Sequence, residues 1–218
     1  MATSVALFGL GAGLALLLSH IMNSDARVIP APSPVDIGFA QDMSVHHSQA
    51  IEMADIVGMN PDPTLASLAQ RIKTTQAEEL GRMQGYLSLW DAPTLPSGPP
   101  MTWMTPDMRA PQVGMHADHH SMAPETAGMD DTMPGMATQS QLARLRSLEG
   151  RDQEVLFLQL MLRHHQGGVA MAGYAASHAA LPQTQSLAAR MSFDQQQENQ
   201  IISQLLVQLV VDSFDPPA

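Results

Sequence analysis

The chain has no cysteine. That absence excludes disulfides, thiolate zinc sites, iron–sulfur clusters and cysteine nucleophiles, so any metal chemistry must use His, Met or carboxylates. Positive charge is scarce: ten Lys and Arg against 21 Asp and Glu give a formal charge of −11. No basic run relieves it, so the surface suits cations and argues against a nucleic-acid or anionic-lipid partner. Aromatics are few as well, with five Phe, two Trp and two Tyr, while 17 methionines stand in the same chain. Methionine is normally a flexible gap-filler used sparingly, so the excess asks for a second reason. Long apolar runs are missing apart from Val5 to Leu18. That run has the length of a signal-peptide h-region and is short for a membrane span. Export is the expectation, with the segment acting as a cleaved signal or a retained anchor, and the Pro-rich stretch from Ile29 to Pro34 acting as a spacer.

What is present is an internal repeat. Phe39, Met43, His46, His47, Ile51, Met53 and Ala54 align without a gap on Phe157, Met161, His164, His165, Val169, Met171 and Ala172. A second pattern recurs behind it. Leu68, Ala69, Arg71, Ile72, Gln76 and Glu79 match Leu187, Ala188, Arg190, Met191, Gln195 and Glu198. The organising unit is therefore a duplicated helical hairpin.

The helices follow from periodicity. Phe39, Met43, His46, Ala50, Met53 and Val57 recur at steps of three and four, one face of a helix. A first helix over Val35–Val57 is broken by Gly58 and the Asn60 to Pro63 cluster, and Asp62 or Thr64 is placed to cap a second that ends near Trp90. In the second half, Arg151 to His178 and Gln183 to Val211 form the matching pair, divided at Leu181-Pro182, behind a short helix over Ser140 to Leu148. No strand pattern competes. The economical fold is all-α, an antiparallel four-helix bundle of two repeated hairpins. The expected organisation is a signal or anchor over 1–20, a spacer over 21–34, the first hairpin over 35–90, a loop over 91–137, the second hairpin over 138–212 and a tail over 213–218. The stretch from Pro93 to Met136 holds eight of the 17 methionines and the cluster Met115, His116, His119, His120 and Met122, a composition that favours metal ligation over neutral linking.

On a helix, Met43 stands one turn from His46 or His47, with Met53 further along the same face. Thioethers select Cu(I), and imidazole accepts copper, zinc, iron or nickel. A Met/His set without thiolate points to copper, Cu(I) favoured and Cu(II) tolerated. A stripe of Met is more often packing, and a His on an apolar face is more often a hydrogen-bonded core residue. Packing, however, tolerates exchange among apolar residues, and both repeats carry the same Met, His-His and Met. Two consecutive His point ~100° apart, so one of each pair is expected to face inward and the other to sit at the rim. Gln76, Glu79, Gln195 and Glu198 fall on or beside the apolar stripes, where an unpartnered polar group is costly. They are natural acceptors for an imidazole N–H, or direct ligands in the case of Glu. Small residues at Ala50 and Gly168 leave room for an ion or for a close helix. His20 and His178 are read as incidental.

These motifs, together with Met133-Pro-Gly-Met136 followed by Leu142, Leu145 and Gly150, resemble those of the DUF305 proteins, an exported group of ferritin-like helical bundles implicated in copper binding and copper tolerance. The resemblance covers Val35 to Leu209 and is strongest in the second half. It implies metal binding at Met43, His46, His47, Met53, Met161, His164, His165 and Met171. The tandem arrangement and the Met/His-rich central segment depart from a single-copy domain.

The expected function is copper buffering, sequestration or transfer without turnover. The partners are copper ions and, for transfer, another copper-handling protein, with the membrane engaged only through the N-terminal segment. One rival is a di-iron carboxylate oxidase, which normally draws Glu-x-x-His from two helices; no Glu here stands three residues before a candidate His. A second rival is a Met-rich interaction module, which predicts no dependence on the His pairs.

Overall fold

A computed structural model describes residues 30–57, 63–104 and 133–214. The chain divides into units 1–30 and 31–218, and the description below concerns the second. The apolar run Val5–Leu18, His20, the breaker at 58–62 and the loop cluster Met115 to Met122 lie outside the described residues.

All regular structure among the described residues is helical: α1 Pro34–Val57, α2 Pro63–Leu89, α3 Gln139–Ser147, α4 Gly150–His178 and α5 Pro182–Phe214. Prolines open α1, α2 and α5, where the missing N–H satisfies no helical bond anyway. Thr64 consequently lies inside α2 and does not cap it. Thr138 caps α3, its hydroxyl accepting from Gln141 N while the Gln141 side chain accepts from Thr138 N, a capping box. At the end of α2, Asp91 takes φ 51°, Asp91 N donates to Ser88 O and Ala92 N to Leu87 O, the paired bonds of a left-handed Schellman stop.

Helix α1 pairs with α2, α4 pairs with α5, and the two hairpins meet through α1 and α4. Asp36 ties that meeting at one end. Its carboxylate accepts from Ser33 N at 2.8 Å, from Ala180 N at 3.0 Å and from Leu181 N at 3.1 Å. Burial pushes this carboxyl up, but the donors from Ser33 and Ala180 outweigh it and hold the pKa below the ordinary value.

Two apolar clusters fill the interior. One gathers Phe39, Met43, Met83, Leu87, Trp103, Tyr174 and Leu187 with their neighbours, and the other gathers Met53, Val57, Leu65, Ile72, Leu142, Phe157, Met161 and Ile202. Each draws on both repeats. No helix among the described residues is long and apolar enough to cross a membrane.

Candidate metal centre

His46, His47, His164 and His165, which lie in sequence between the Met positions of the two clusters, are all 0 % exposed. The expectation of one rim His per pair is therefore corrected. Helix α1 is covered on two sides, so the ~100° step between neighbours carries His47 to α2 and His46 to α4. Likewise His165 faces α5 and His164 faces α1.

The outer members make the same pair twice. His47 Nε2 lies 2.8 Å from Glu79 Oε2, and His165 Nε2 lies 2.6 Å from Glu198 Oε2. Of the four polar residues expected to orient an imidazole, the two Glu hydrogen-bond one and the two Gln do not. Both amide atoms of Gln76 and of Gln195 are buried without a partner. The small residue at Gly168 serves a close neighbour, since a Cβ there would collide with the Gln195 side chain.

The inner members stack on each other, with ring centroids 3.7 Å apart and planes tilted by 32°. His46 Nε2 lies 3.1 Å from Pro134 O. A carbonyl only accepts, so Nε2 carries the proton and Nδ1 keeps a bare lone pair. The carbonyl belongs to a turn in which Met136 N donates to Met133 O, with Pro134 at its second position and Gly135 at φ +81° in its third, a type II signature. Only a residue without Cβ fits there, because a methyl at Gly135 would strike the Arg163 main chain. A methyl at Gly167 would likewise strike the Pro134 carbonyl. Gln49 completes the hold, its amide donating to Ala137 O at 2.9 Å and accepting from Ala137 N at 2.6 Å. The sequence displayed the Met-Pro-Gly-Met motif without showing its role, and nothing in the sequence singled out Gln49.

Burial dominates the electrostatics. It pushes the His46 imidazole down to about 3, helped by the neighbouring His47 and opposed by the Pro134 carbonyl. His47 also falls to about 3, through burial and then His165, with Glu198 acting the other way. His164 is held well below its ordinary value by burial and by the three other imidazoles, His46 first. Glu79 is pushed up to about 8 by burial and by Asp194 and Glu198, against Arg82 and His165. At neutral pH these three imidazoles are uncharged and their lone pairs are available.

Many of those nitrogens have no hydrogen-bond partner among the described residues. His46 Nδ1, His47 Nδ1, His165 Nδ1 and both nitrogens of His164 are buried without a hydrogen-bond partner; the His46 main chain comes near His164 without reaching hydrogen-bond geometry. The thioethers divide: Met43 and Met171 join one cluster, Met53 and Met161 the other. Among the described residues no three His, Asp or Glu side chains converge as a set able to hold a metal ion. The donors present fit a soft ion of low coordination number, which accepts imidazole and thioether, better than a hard ion needing a full oxygen shell. His178 takes no part: its Nδ1 donates to Tyr174 O at 2.9 Å and its ring stacks on Tyr174.

Residues 36–206 match a family described as "Domain of unknown function (DUF305)". The chain belongs to the DUF305 family. Two solved DUF305 structures are similar to it. A protein of Streptomyces coelicolor, provisionally described as secreted, is 39 % identical over 80 % of this chain and 93 % of its own, with a TM-score of 0.66. A DUF305 fragment from Deinococcus radiodurans is 29 % identical over 82 % and 99 %, with a TM-score of 0.62. CopM, solved in a Cu(II)-bound form, is 22 % identical over 79 % and 96 %, with a TM-score of 0.56. Its Cu(I)-bound form gives 20 % identity and a TM-score of 0.55. At that identity the likeness shows a shared fold. The comparison with curated proteins gave no match.

Proposed function

We propose that this DUF305 chain is an extracytoplasmic copper-binding protein that buffers, sequesters or hands on the ion without turnover. The observation that carries the reading is the layer of buried imidazoles with nitrogens unpartnered among the described residues where α1 meets α4. A buried polar atom without a partner costs free energy, and binding an ion through its lone pair removes that cost. The stacked inner rings of His46 and His164 would hold the ion at low coordination number, with the outer rings of His47 and His165, oriented by Glu79 and Glu198, beside them. The thioethers of Met43, Met53, Met161 and Met171 flank the layer. CopM has been solved with Cu(I) and with Cu(II), which supports copper as the cargo. The description of the Streptomyces coelicolor neighbour supports export, as does the apolar run Val5–Leu18. We read the two hairpins as a ferritin-like antiparallel four-helix bundle. The di-iron rival has less support, because Glu79 and Glu198 each spend a carboxylate oxygen on an imidazole.

The test is an anaerobic Cu(I) titration against a competing chelator, comparing wild type with His46→Ala/His164→Ala and with the variant that replaces all four His. Loss of tight binding with retained helicity supports the reading. Unchanged binding in a folded quadruple variant, or no binding by wild type, overturns the imidazole layer as the site.

A further inference from the structure

The two apolar clusters are equal in size and unequal in sulfur. Of the sixteen buried residues in the first, seven are methionine: Met43, Met83, Met101, Met104, Met133, Met171 and Met191. The second also has sixteen, of which two are methionine, Met53 and Met161. Both fill space between α1, α2, α4 and α5, the first closed by Met101–Met104 and Met133 and the second by Leu142 and Leu145 of α3, and packing volume alone gives no reason for the difference in sulfur.

A second observation at the sulfur-rich end is a buried carboxylate oxygen suited to a cation. Asp42, on α1 beside Met43, is 1 % exposed. Its Oδ2 accepts from Met101 N and from Trp103 Nε1, both at 2.7 Å. Two donors on one oxygen favour the carboxylate, but burial outweighs them and pushes this carboxyl up; among the described residues Asp42 makes no ion pair, and its buried Oδ1 has no hydrogen-bond partner. Buried charges are ordinarily paired or bound to a metal. Protonation would not satisfy the site either, because the new O–H at Oδ1 would find no acceptor.

The backbone adds a third. Met101 sits at φ +65°, a left-handed conformation uncommon for a residue with a side chain. It is held there by the Asp42 bond, and a methyl at Gly38 would strike the Trp103 ring that covers it. Such departures persist where the surroundings over-determine them, and they cluster at ligand sites. This one places the Met101 and Met104 side chains in the cluster that also receives Met133.

We propose a second soft-metal site at this end, separate from the imidazole layer. Met43, Met101, Met104 and Met133 supply the thioethers and Asp42 the compensating charge for a monovalent soft cation. The inference rests on the copper reading for the identity of the ion, but it uses none of the four histidines. Thioethers select the reduced, monovalent ion, so the two sites differ in chemistry: one holds sulfur and a single negative charge, the other neutral nitrogen.

The experiment uses Ag(I), a redox-inert soft probe, on the full chain carrying [13C]methyl-methionine, with methyl resonances assigned by single Met→Leu substitutions. Stoichiometric Ag(I) is expected to shift the methyls of Met43, Met101, Met104 and Met133, and to do so equally in the His46→Ala/His164→Ala variant. Asp42→Asn keeps an acceptor for both donors and removes the charge, and it is expected to weaken that binding by roughly tenfold. The variant Met101→Leu/Met104→Leu/Met133→Leu conserves volume and is expected to bind fewer Ag(I) ions at unchanged helicity. If histidine resonances respond while these four methyls stay in place, or if the triple variant keeps the wild-type stoichiometry, the second site is overturned and the imidazole reading stands. If neither histidines nor methyls respond, both fail.

Discussion

The two repeats present the same histidine pair and use it differently. The outer members are equivalent, His47 on Glu79 and His165 on Glu198. The inner members part company, for His46 reaches Pro134 O while neither nitrogen of His164 finds a partner. The difference comes from the Met133–Met136 turn, which exists once and lies across both repeats. It is gripped by Gln49 from α1 and fitted against Gly167 of α4. Those two residues occupy equivalent repeat positions. Duplication thus supplied a symmetric scaffold, and one unduplicated turn made its two inner imidazoles unlike.

The largest expected break of this arrangement is acid. The His46 and His47 imidazoles titrate at about 3 in the folded protein and near 6.5 when unfolded. Between those values the unfolded chain binds more protons, so stability is complete above pH 6.5 and falls as pH drops towards 3. By about pH 4.5 each contributes a loss of about 2–3 kcal/mol. Glu79, pushed up to about 8, acts in the opposite sense over this window, so urea unfolding from pH 7 to 4 in a Glu79→Gln background checks the histidines, and a flat profile there would place these rings in contact with water. A smaller effect separates the turn's two holds. Gly167→Ala drives a methyl into Pro134 and is expected to cost about 2–3 kcal/mol, whereas Gln49→Ala gives up the Ala137 bonds for about 2 kcal/mol. Both variants should shift the His46 nitrogen resonances and leave those of His165 in place; equal shifts in the two rings would make the turn irrelevant to the asymmetry. The smallest effect sharpens the comparison of the second helices. Arg71 lies 3.7 Å from Glu198 and is half exposed, and its repeat mate Arg190 makes no ion pair among the described residues. Arg71→Ala should therefore cost up to about 1 kcal/mol and Arg190→Ala essentially nothing, as thermal unfolding would read.

The helices were legible in the sequence because a 3.6-residue period and proline punctuation survive without tertiary knowledge. Helix α1 matches its periodic stretch to within a residue at Pro34–Val57, and α4 keeps its expected end at His178. Helix α5 instead runs on to Phe214, beyond Val211, since nothing in that stretch stops a helix. The repeat marked the two His–Glu pairs, but not how the histidines face. A helical projection assumes one buried side, and α1 has two, which is why both histidines of each pair are inside. Asp36 shows the same boundary. Its bonds to Ala180 N and Leu181 N depend on a neighbour no local pattern names. The Pro134 carbonyl is harder still, because a backbone oxygen has no sequence signature.

That Asp36 contact spans 144 positions of chain, which bears on the order in which the protein assembles. Each hairpin is held by partners near in sequence, and such contacts form quickly. Bringing Asp36 to the α4–α5 turn requires closing most of the chain, with the entropy that long closures lose. Docking of the hairpins is therefore the late event, and it is the same event that seals the four imidazoles. Until it happens they remain open to solvent, and once it has happened no ion reaches them without the hairpins parting.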